Sequence, residues 1–290
     1  MREHGEASLK APAFRYRRPK RLDEALSLLA SEGEGARLLA GGQSLVPALN
    51  MRLLEPKLLI DITGLAELRG IAESKGRLRL GALTRHCELS DPRIARLAPL
   101  LAAAQPFIAH AAIRNRGTLG GSLAHADPAA ELPACAVALD AEFEIAGAKG
   151  RRRVAAQDFF RGVFETALAP GEILVAVEIP APAPETRFAF LELSRRQGDY
   201  ALAGIAASAS MSGVRASDPR LVFFGIGTRP VEAPKAAQAL SGAGWKDSSA
   251  AIEALGREIE PAPDLHAGAA MKRQLAQVLL RRAVAQWASA

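Results

Sequence analysis

Two glycine-rich stretches about 75 residues apart constrain the fold of this chain more than any other feature of its sequence. The first, AGGQSLVPALNMRL, begins at Ala40, and the second, RNRGTLGGSLAHADPAAELP, begins at Arg114. Each follows an apolar run and precedes a helix-like segment, so each can present backbone N–H groups at a turn without an obstructing side chain. Two such loops in one compact chain predict a ligand that carries a diphosphate.

The composition is that of a globular protein with a basic charge. The chain has 290 residues, of which 49% are hydrophobic and 23% charged, enough for two or three packed units. The excess of 37 Lys and Arg over 31 Asp and Glu gives a net charge of +6, which favours an anionic ligand and protein partners. Aromatic residues are only 5%, so the alternating bases and rings that bind single-stranded nucleic acid are missing, and no nucleic acid partner is predicted.

The chain has only two cysteines, Cys87 and Cys135. An iron–sulfur cluster normally needs four thiolates and a structural zinc site needs a clustered ligand set, so no metal site is predicted and any such centre would lie in a partner. Both cysteines lie among Leu and Ala residues, which predicts reduced packing residues in a cytoplasmic protein. The N-terminal segment MREHGEASLKAPAF lacks the apolar core of a signal peptide, and no run is long enough to span a membrane.

The order of predicted elements indicates an α+β fold in three parts. A helix after Arg17, the strand ARLLAG, the first glycine loop, the helix VPALNMRL and the strand KLLIDIT predict an N-terminal α/β lobe over residues 1–66. Strands at RLRLGAL and PGEILVAVEIP, with a helix over SDPRIARLAPLLAAA that Asp91 caps, predict a second α+β lobe over residues 67–184. Successive strands and then three helices predict an antiparallel sheet-and-helix domain over residues 185–290.

Candidate ligand-binding groups cluster in the two loops. In the first loop the backbone N–H groups and the hydroxyl of Ser44 could hold a diphosphate, and a simple strand-to-helix turn is an equally good reading. The second loop offers the same combination of N–H groups and hydroxyls, beside the polar segment 114–116. Its candidates are Thr118, Gly120, Gly121 and Ser122.

Three further candidates follow the loops. Asp127, with Pro128 after it, is predicted to cap a helix and could also accept hydrogen bonds from ribose hydroxyls. His125 is either a ligand contact or a spacer, and for a single histidine the spacer is favoured. Tyr200 ends the segment SRRQGDY, which is predicted as a strand edge followed by a bulge, and its ring could stack on a planar ligand.

No catalytic residue is assigned. No serine lies in a nucleophile elbow, and no cysteine is paired with a histidine. Neither loop has the third glycine of the dinucleotide fingerprint or a Walker lysine, so a classical NAD or ATP site is disfavoured.

Three segments together resemble a known family. In this order, AGGQSLVPALNMRL, TLGGSLAHADPAAELP and RRQGDYALAG resemble the FAD-binding medium subunit of molybdenum hydroxylases, in the xanthine dehydrogenase family, with the best match to the carbon monoxide dehydrogenase medium-subunit type. The resemblance extends from about Phe14 to Trp287. It implies a two-lobed FAD-binding domain followed by a C-terminal antiparallel sheet with helices.

The resemblance implies FAD as the cofactor and also implies its site. The residues expected to hold the FAD diphosphate are Ala40, Gly41, Gly42, Gln43, Ser44 and Leu45 of the first loop, with Thr118, Gly120, Gly121 and Ser122 of the second. Asp127 is expected on the adenosine side, Tyr200 beside the isoalloxazine, and His125 in the same site.

In such enzymes a large subunit carries the molybdopterin and a small subunit carries two 2Fe-2S clusters. Electrons reach the flavin last and pass to an acceptor such as NAD or a quinone. An electron-transfer flavoprotein subunit is therefore the predicted function, and it agrees with the shortage of cysteines. The alternatives are a self-contained FAD-linked oxidoreductase, for which no general base stands out, and a basic scaffold that binds nucleic acid, which the low aromatic content disfavours.

Overall fold

The computed structural model describes residues 10–213, 215–242 and 248–289. The first nine residues, on which the expectation about a signal peptide partly depends, lie outside these ranges. The strands are β1 (Arg15–Arg17), β2 (Ala36–Leu39), β3 (Leu58–Asp61), β4 (Ile71–Ser74), β5 (Arg77–Gly81), β6 (Glu142–Gly147), β7 (Gly150–Ala155), β8 (Phe160–Gly162), β9 (Glu165–Thr166), β10 (Ile173–Pro180), β11 (Thr186–Ser194), β12 (Ala201–Ser212), β13 (Arg215–Phe224) and β14 (Val231–Glu232). The helices are α1 (Leu22–Glu32), α2 (Leu45–Asn50), α3 (Pro92–Leu97), α4 (Pro99–Ala104), α5 (Ala111–Arg114), α6 (Leu119–His125), α7 (Glu131–Ala138), α8 (Ala156–Phe159), α9 (Pro234–Gly242), α10 (Ser249–Glu258) and α11 (Ala269–Ser289).

The N-terminal part is a small parallel sheet in the order β1-β3-β2. Both outer strands pair in parallel with β3, and parallel neighbours need a crossover, which α1 provides before β2 and α2 provides before β3. Leu22 and Ala25 of α1 are buried with Ile60 of β3 in one apolar cluster. The predicted order of strand, glycine loop, helix and strand is confirmed.

A five-stranded antiparallel sheet, ordered β4-β5-β10-β6-β7, forms the middle of the chain. Its strand β10 is buried along most of its length, because Ile173 and Val175 belong to the N-terminal apolar cluster, while Leu174 and Val177 belong to the cluster that residues of α6 and α7 also form. The two cysteines belong to this part and are free thiols, with Cys135 fully buried.

The helix predicted over SDPRIARLAPLLAAA is two helices, α3 and α4. The chain leaves the helical conformation at Ala98, where φ is −139° and ψ is 60°. Pro99 has no N–H to donate and disfavours the helical conformation of the residue before it, so a single helix cannot continue through this point. The predicted cap is confirmed, because the Asp91 side chain accepts a hydrogen bond of 2.8 Å from the backbone N of Arg93.

The C-terminal part is an antiparallel sheet in the order β11-β12-β13-β14, with no helix between its first three strands, as predicted. One face packs against α4 and α7, and the other against α9 and α11. Phe190 and Phe224 therefore belong to the apolar cluster of the middle part, whereas Phe223 belongs to the C-terminal cluster. The boundaries at 66 and 184 remain predictions, since apolar clusters continue across both. None of the helices in the described ranges is long and apolar enough to cross a membrane.

Candidate functional site

The two glycine loops lie against each other in the folded chain. A Cβ built on Gly41 would overlap the carbonyl oxygen of Arg116 and would lie 2.7 Å from the Cα of Gly117. A Cβ built on Gly121 would lie 3.9 Å from the Cβ of Ala40. Glycine at position 41 is therefore required by the close approach of two backbones. Loops that are distant in sequence form one continuous surface.

The first loop connects the end of β2 to the start of α2 and presents unpaired donors. Gly42 has a φ of +73°, which favours glycine. Among the hydrogen bonds of the described residues, none uses the backbone N–H groups from Gly41 to Leu45, and the side-chain amide of Gln43 donates 3.0 Å to the Gly41 carbonyl. Partly buried N–H groups need an acceptor, and successive N–H groups in a turn favour an anion. The loop is suited to a diphosphate.

The second loop has a different chemistry, and the expectation that it presents free N–H groups is wrong. Its backbone donors are already paired: Leu119 N with Thr84 O at 2.8 Å, Gly120 N with Ala82 O at 2.8 Å, Gly121 N with Thr118 Oγ1 at 3.2 Å and Ser122 N with Thr118 O at 3.0 Å. The cause is the segment 82–84, which runs beside the loop and accepts two of these bonds. What remains for a ligand is the hydroxyl groups of Thr118 and Ser122.

Burial divides the candidates of the second loop into two layers. Thr118 and Gly120 are buried, and a Cβ on Gly120 would lie 2.8 Å from the carbonyl oxygen of Ala82. Gly121 and Ser122 are only half-buried and reach the surface that faces the first loop. Gly120 is therefore needed for the close packing of the loop against Ala82, and the absence of a side chain at Gly121 leaves space on the surface that faces the first loop.

His86 lies directly beneath the junction of the loops. Its ring atom Nδ1 is 2.8 Å from a Cβ built on Gly117, and neither ring nitrogen has a hydrogen-bond partner among the described residues. Burial lowers the pKa of His86 to about 4, with a smaller contribution from the Arg114 charge. This histidine is neutral at physiological pH and acts as an apolar support. No pattern in the sequence marks His86 for this role.

The helix start predicted at Asp127 is wrong. Ala126 has a left-handed φ of +50° and ends α6, and α7 begins only at Glu131. Between them, Asp127 Oδ1 accepts 2.9 Å from the N of Ala129, and the Asp127 carbonyl accepts 3.1 Å from the N of Ala130. Asp127 thus stabilises a turn between two helices. His125, just before it, is exposed and stacks on Phe164 with ring centroids 4.7 Å apart.

Tyr200 lies in the loop between β11 and β12 and is 68% exposed. The bulge predicted here is confirmed by the register shift after Leu193. Partial desolvation, followed by the carboxylates of Asp127 and Glu131, raises the pKa of the Tyr200 hydroxyl. A backbone contact connects the same two regions: Gly225 N donates 2.8 Å to Pro128 O, and a Cβ on Gly225 would lie 2.8 Å from the carbonyl of Ala201. Tyr200 is therefore a neighbour of the Asp127 turn.

Comparison with known proteins decides the family. Residues 12–182 match the FAD binding domain in molybdopterin dehydrogenase, and residues 188–287 match the CO dehydrogenase flavoprotein C-terminal domain. This chain belongs to the family of FAD-binding medium subunits of molybdenum hydroxylases.

Individual relatives match this flavoprotein subunit over almost their whole length. The 6-hydroxypseudooxynicotine dehydrogenase complex subunit alpha of Paenarthrobacter nicotinovorans is 38% identical, over 96% of this chain and 95% of its own. The carbon monoxide dehydrogenase medium chain of Hydrogenophaga pseudoflava is also 38% identical, over 96% and 98%. The solved quinoline 2-oxidoreductase of Pseudomonas putida 86 superposes with a TM-score of 0.92, at 40% identity over 97% and 98%.

Family membership confirms the resemblance, the α+β fold with its C-terminal sheet domain, FAD as the cofactor and oxidoreductase as the class of enzyme. The residues present fit FAD, because the first loop has unpaired N–H groups for a diphosphate and Tyr200 offers an exposed ring for the isoalloxazine.

Two carboxyl groups of this flavoprotein subunit were not assigned from the sequence. Burial raises the pKa of Glu131 to about 7, with a further contribution from Asp127, and burial raises the pKa of Glu192 to about 8, with a further contribution from Glu131. Oε2 of Glu192 is buried and has no hydrogen-bond partner among the described residues. The available signal was the alternation of Glu192 with Phe188 and Phe190, which places a polar residue on the inward face of a strand.

Proposed function

We propose that this chain is the electron-transfer flavoprotein subunit of a molybdenum-dependent hydroxylase complex, and that the first glycine loop holds the FAD diphosphate. The observation that carries the proposal is the set of unpaired backbone N–H groups from Gly41 to Leu45, held against the second loop. Such groups stabilise a dianionic diphosphate by hydrogen bonds that need no side-chain charge.

Each candidate has a distinct part in this site. Ala40, Gly41, Gly42, Gln43, Ser44 and Leu45 supply the main-chain cradle, and Ser44 is exposed with a free hydroxyl at the start of α2. Thr118 and Ser122 supply hydroxyl groups from the second loop. Gly121 gives the ligand access to that surface, and Gly120 keeps α6 packed on Ala82.

Asp127 and Tyr200 define the ring end of the cofactor. One expectation placed Asp127 at the adenosine side and another placed Tyr200 beside the isoalloxazine, yet the two residues are neighbours. We assign both to the isoalloxazine end, because the exposed Tyr200 ring is the aromatic surface next to the turn. His125 lies on the same side of the site, where its ring stacks on the ring of Phe164.

The complex is proposed to contain two further subunits. The relatives carry the descriptions complex subunit, medium chain and medium subunit. Because this chain has only two cysteines, the 2Fe-2S clusters belong to a small subunit, and the molybdopterin belongs to a large one. When bound, FAD supplies the redox chemistry, receiving electrons from the clusters and passing them to an external acceptor, NAD or a quinone. We place this complex in the cytoplasm.

The diphosphate assignment is tested by Ser44→Asp, which puts a negative charge at the cradle. Ser44 precedes α2, where Asp is a good capping residue, so the fold should be retained. The matched control is Ser248→Asp, the same change before α10. Titration of the full chain with FAD, followed by absorbance, should show tight binding in the wild type and the control, and binding weakened at least about tenfold in Ser44→Asp. Equal affinities in all three would contradict the assignment.

The electron-transfer role is tested with the FAD-loaded chain alone. The flavin should be bleached by a chemical reductant but not by aldehydes, purines or other N-heterocycles, since oxidation of the substrate belongs to the large subunit. Reduction of the flavin by such a compound without partners would favour a self-contained FAD-linked oxidoreductase. Co-expression with candidate large and small subunits should restore substrate-dependent bleaching.

A further inference from the structure

Lys272 of α11 is the one lysine or arginine that is buried among the described residues. Its side chain is 5% exposed, and its ammonium group makes two contacts. Nζ donates 2.7 Å to the carbonyl oxygen of Gly225 and lies 2.6 Å from Oδ2 of Asp264. Burying a charge costs free energy that an apolar side chain at the same place would not cost. The contacts of the ammonium group are therefore the part of Lys272 that packing alone does not explain.

The carbonyl of Gly225 belongs to a turn that needs glycine. The turn follows β13, and Gly225 has a φ of +75°, in the left-handed region. A Cβ on Gly225 would also lie 2.8 Å from the carbonyl oxygen of Ala201. The N–H of Ala262 donates 2.9 Å to the carbonyl of Ile226, the next residue along the turn. Lys272 and the segment before α11 thus attach this turn to the C-terminal part.

The same turn contacts both segments that form the ring end of the site. The N–H of Gly225 donates 2.8 Å to the carbonyl of Pro128, in the turn between α6 and α7 that Asp127 stabilises. Ala201, whose carbonyl the Cα of Gly225 approaches, directly follows Tyr200 in the chain. With its N–H bonded to one segment of the site and its carbonyl bonded to an ammonium group, Gly225 has both backbone groups fixed.

The loop that carries Tyr200 also has a second, separate support. A Cβ on Gly198 would lie 2.8 Å from the carbonyl oxygen of Ala109, and the guanidinium of Arg114 donates 2.9 Å to that carbonyl. This support lies before Tyr200 in the chain, and the contact with the turn after β13 lies behind it. Loss of the Lys272 contact frees one support and leaves the other, so it should shift the loop rather than unfold it.

We propose that Lys272 is a positioning residue of the FAD site, which fixes the Asp127 turn and the Tyr200 ring through the backbone of Gly225. The proposal rests on the function proposed above, in which the isoalloxazine lies at Tyr200. The diphosphate cradle at residues 41–45 is not part of this chain of contacts. Lys272 therefore governs where the flavin ring stacks and contributes little to how tightly FAD is held.

Lys272→Met removes the ammonium group and keeps an unbranched side chain of similar length. Asp264 then retains two backbone donors, the N–H groups of His266 and Ala267 at 2.7 and 2.9 Å, so its carboxylate is not left without a partner. The fold should therefore be retained. Lys272→Arg keeps the charge and the donors and serves as the conservative variant.

Two control variants separate this role from a general loss of charge or stability. Lys235→Met removes a lysine that is exposed on α9, in the same part of the chain. Leu279→Ala creates a cavity at a fully buried residue two turns further along α11, which lowers stability without removing the contact between Lys272 and Gly225.

The first test is hydrogen–deuterium exchange of the FAD-free full chain, measured relative to other amides of the C-terminal part. In Lys272→Met the amides of Gly225 and of residues 126–130 should exchange about tenfold faster than in the wild type, since a hydrogen bond that holds the turn is lost. Lys272→Arg and both controls should resemble the wild type. Unchanged exchange in Lys272→Met, or an equal relative increase in Leu279→Ala, would overturn the link from Lys272 to the turn.

The second test measures the fluorescence of FAD bound at saturation, so that differences in affinity do not contribute. The wild type and both controls should quench the flavin alike, Lys272→Met should quench it less, and Lys272→Arg should restore most of the quenching. The FAD dissociation constant of Lys272→Met should rise by less than about tenfold, because the cradle is intact. Full quenching in Lys272→Met would overturn the positioning role. If the wild type fails to bind FAD at all, the proposed function fails, while the exchange result still decides whether Lys272 holds the turn.

Discussion

Gly41 and Gly117 meet backbone to backbone, with a Cβ on Gly41 placed 2.7 Å from the Gly117 Cα. This contact joins the parallel N-terminal sheet to the segment that leads into α6. The unpaired N–H groups of the first loop owe their position to it, so packing at one glycine controls the shape of the whole cradle. Binding and stability are consequently coupled at this point.

Gly41→Ala should therefore weaken both properties. The added methyl group meets backbone atoms that cannot rotate away, so we expect a loss of roughly 1–3 kcal/mol in the free energy of unfolding. FAD binding should weaken about tenfold or more because the two loops must separate. Urea unfolding and FAD titration measure the two effects. Gly35→Ala is the control, because its Cβ would lie 3.5 Å from the flexible Lys57 side chain, and a loss of equal size there would refute the argument.

The lowered pKa of His86 predicts that the FAD-free chain loses folding stability at acid pH. The pKa of His86 is about 4 in the folded chain, below the ordinary value of 6.5. Between these two pH values His86 is protonated in the unfolded chain and neutral in the folded chain. The contribution of neutral His86 to the free energy of unfolding is complete above pH 6.5. It is lost as the pH falls towards 4, which lowers the free energy of unfolding by up to about 3 kcal/mol. His86→Leu should lose this part of the acid sensitivity in urea unfolding measured across that range. His110→Leu, at an exposed histidine, should retain it, and equal acid sensitivity in His86→Leu and the wild type would contradict the prediction.

The raised pKa of Glu192 predicts the opposite pH dependence, a free energy of unfolding that falls as the pH rises. Its folded pKa is raised from 4.5 to about 8, so the folded chain holds a proton that the unfolded chain has released. Stability then falls as the pH rises from 4.5 towards 8 and stays low above it. Glu192→Gln should remove this fall and gain roughly 2 kcal/mol over the wild type on going from acid to alkaline pH, discounted for partial exposure. A difference between the two proteins that does not change with pH would rule this out.

Local signals in the sequence were sufficient for most elements of the fold. Alternation in RLRLGAL, the cap at Asp91 and the strand–loop–helix order around Gly42 all correspond to observed elements, since each depends on neighbouring residues. Pro99 also carried a local signal, the break in the helix, and the prediction of one helix overlooked it. Asp127 was misread for a different reason: the dipeptide Asp-Pro begins turns as well as helices.

The site was less predictable because its decisive contacts are long-range. The N–H groups of Leu119 and Gly120 are paired with Thr84 and Ala82, on a segment far earlier in the chain, and no pattern within TLGGS reveals that. The interaction of Glu131 with Glu192 likewise depends on α7 packing over the C-terminal sheet. Sequence patterns located the loops, and tertiary packing determined which of their groups remain available.

Tyr200 gives the most direct test of the ring end of the site. The side chain is 68% exposed, so its truncation should cost the free energy of unfolding very little. If the ring stacks on the isoalloxazine, Tyr200→Ala should weaken FAD binding by about tenfold, in keeping with a stacking contribution of roughly 1–2 kcal/mol. Tyr200→Phe keeps the ring and should bind nearly as the wild type does. Quenching of flavin fluorescence should follow the same order, since it needs an aromatic ring in contact with the flavin. If Tyr200→Ala quenches and binds like Tyr200→Phe, the isoalloxazine lies elsewhere, and the assignment of Asp127 to the same end fails with it.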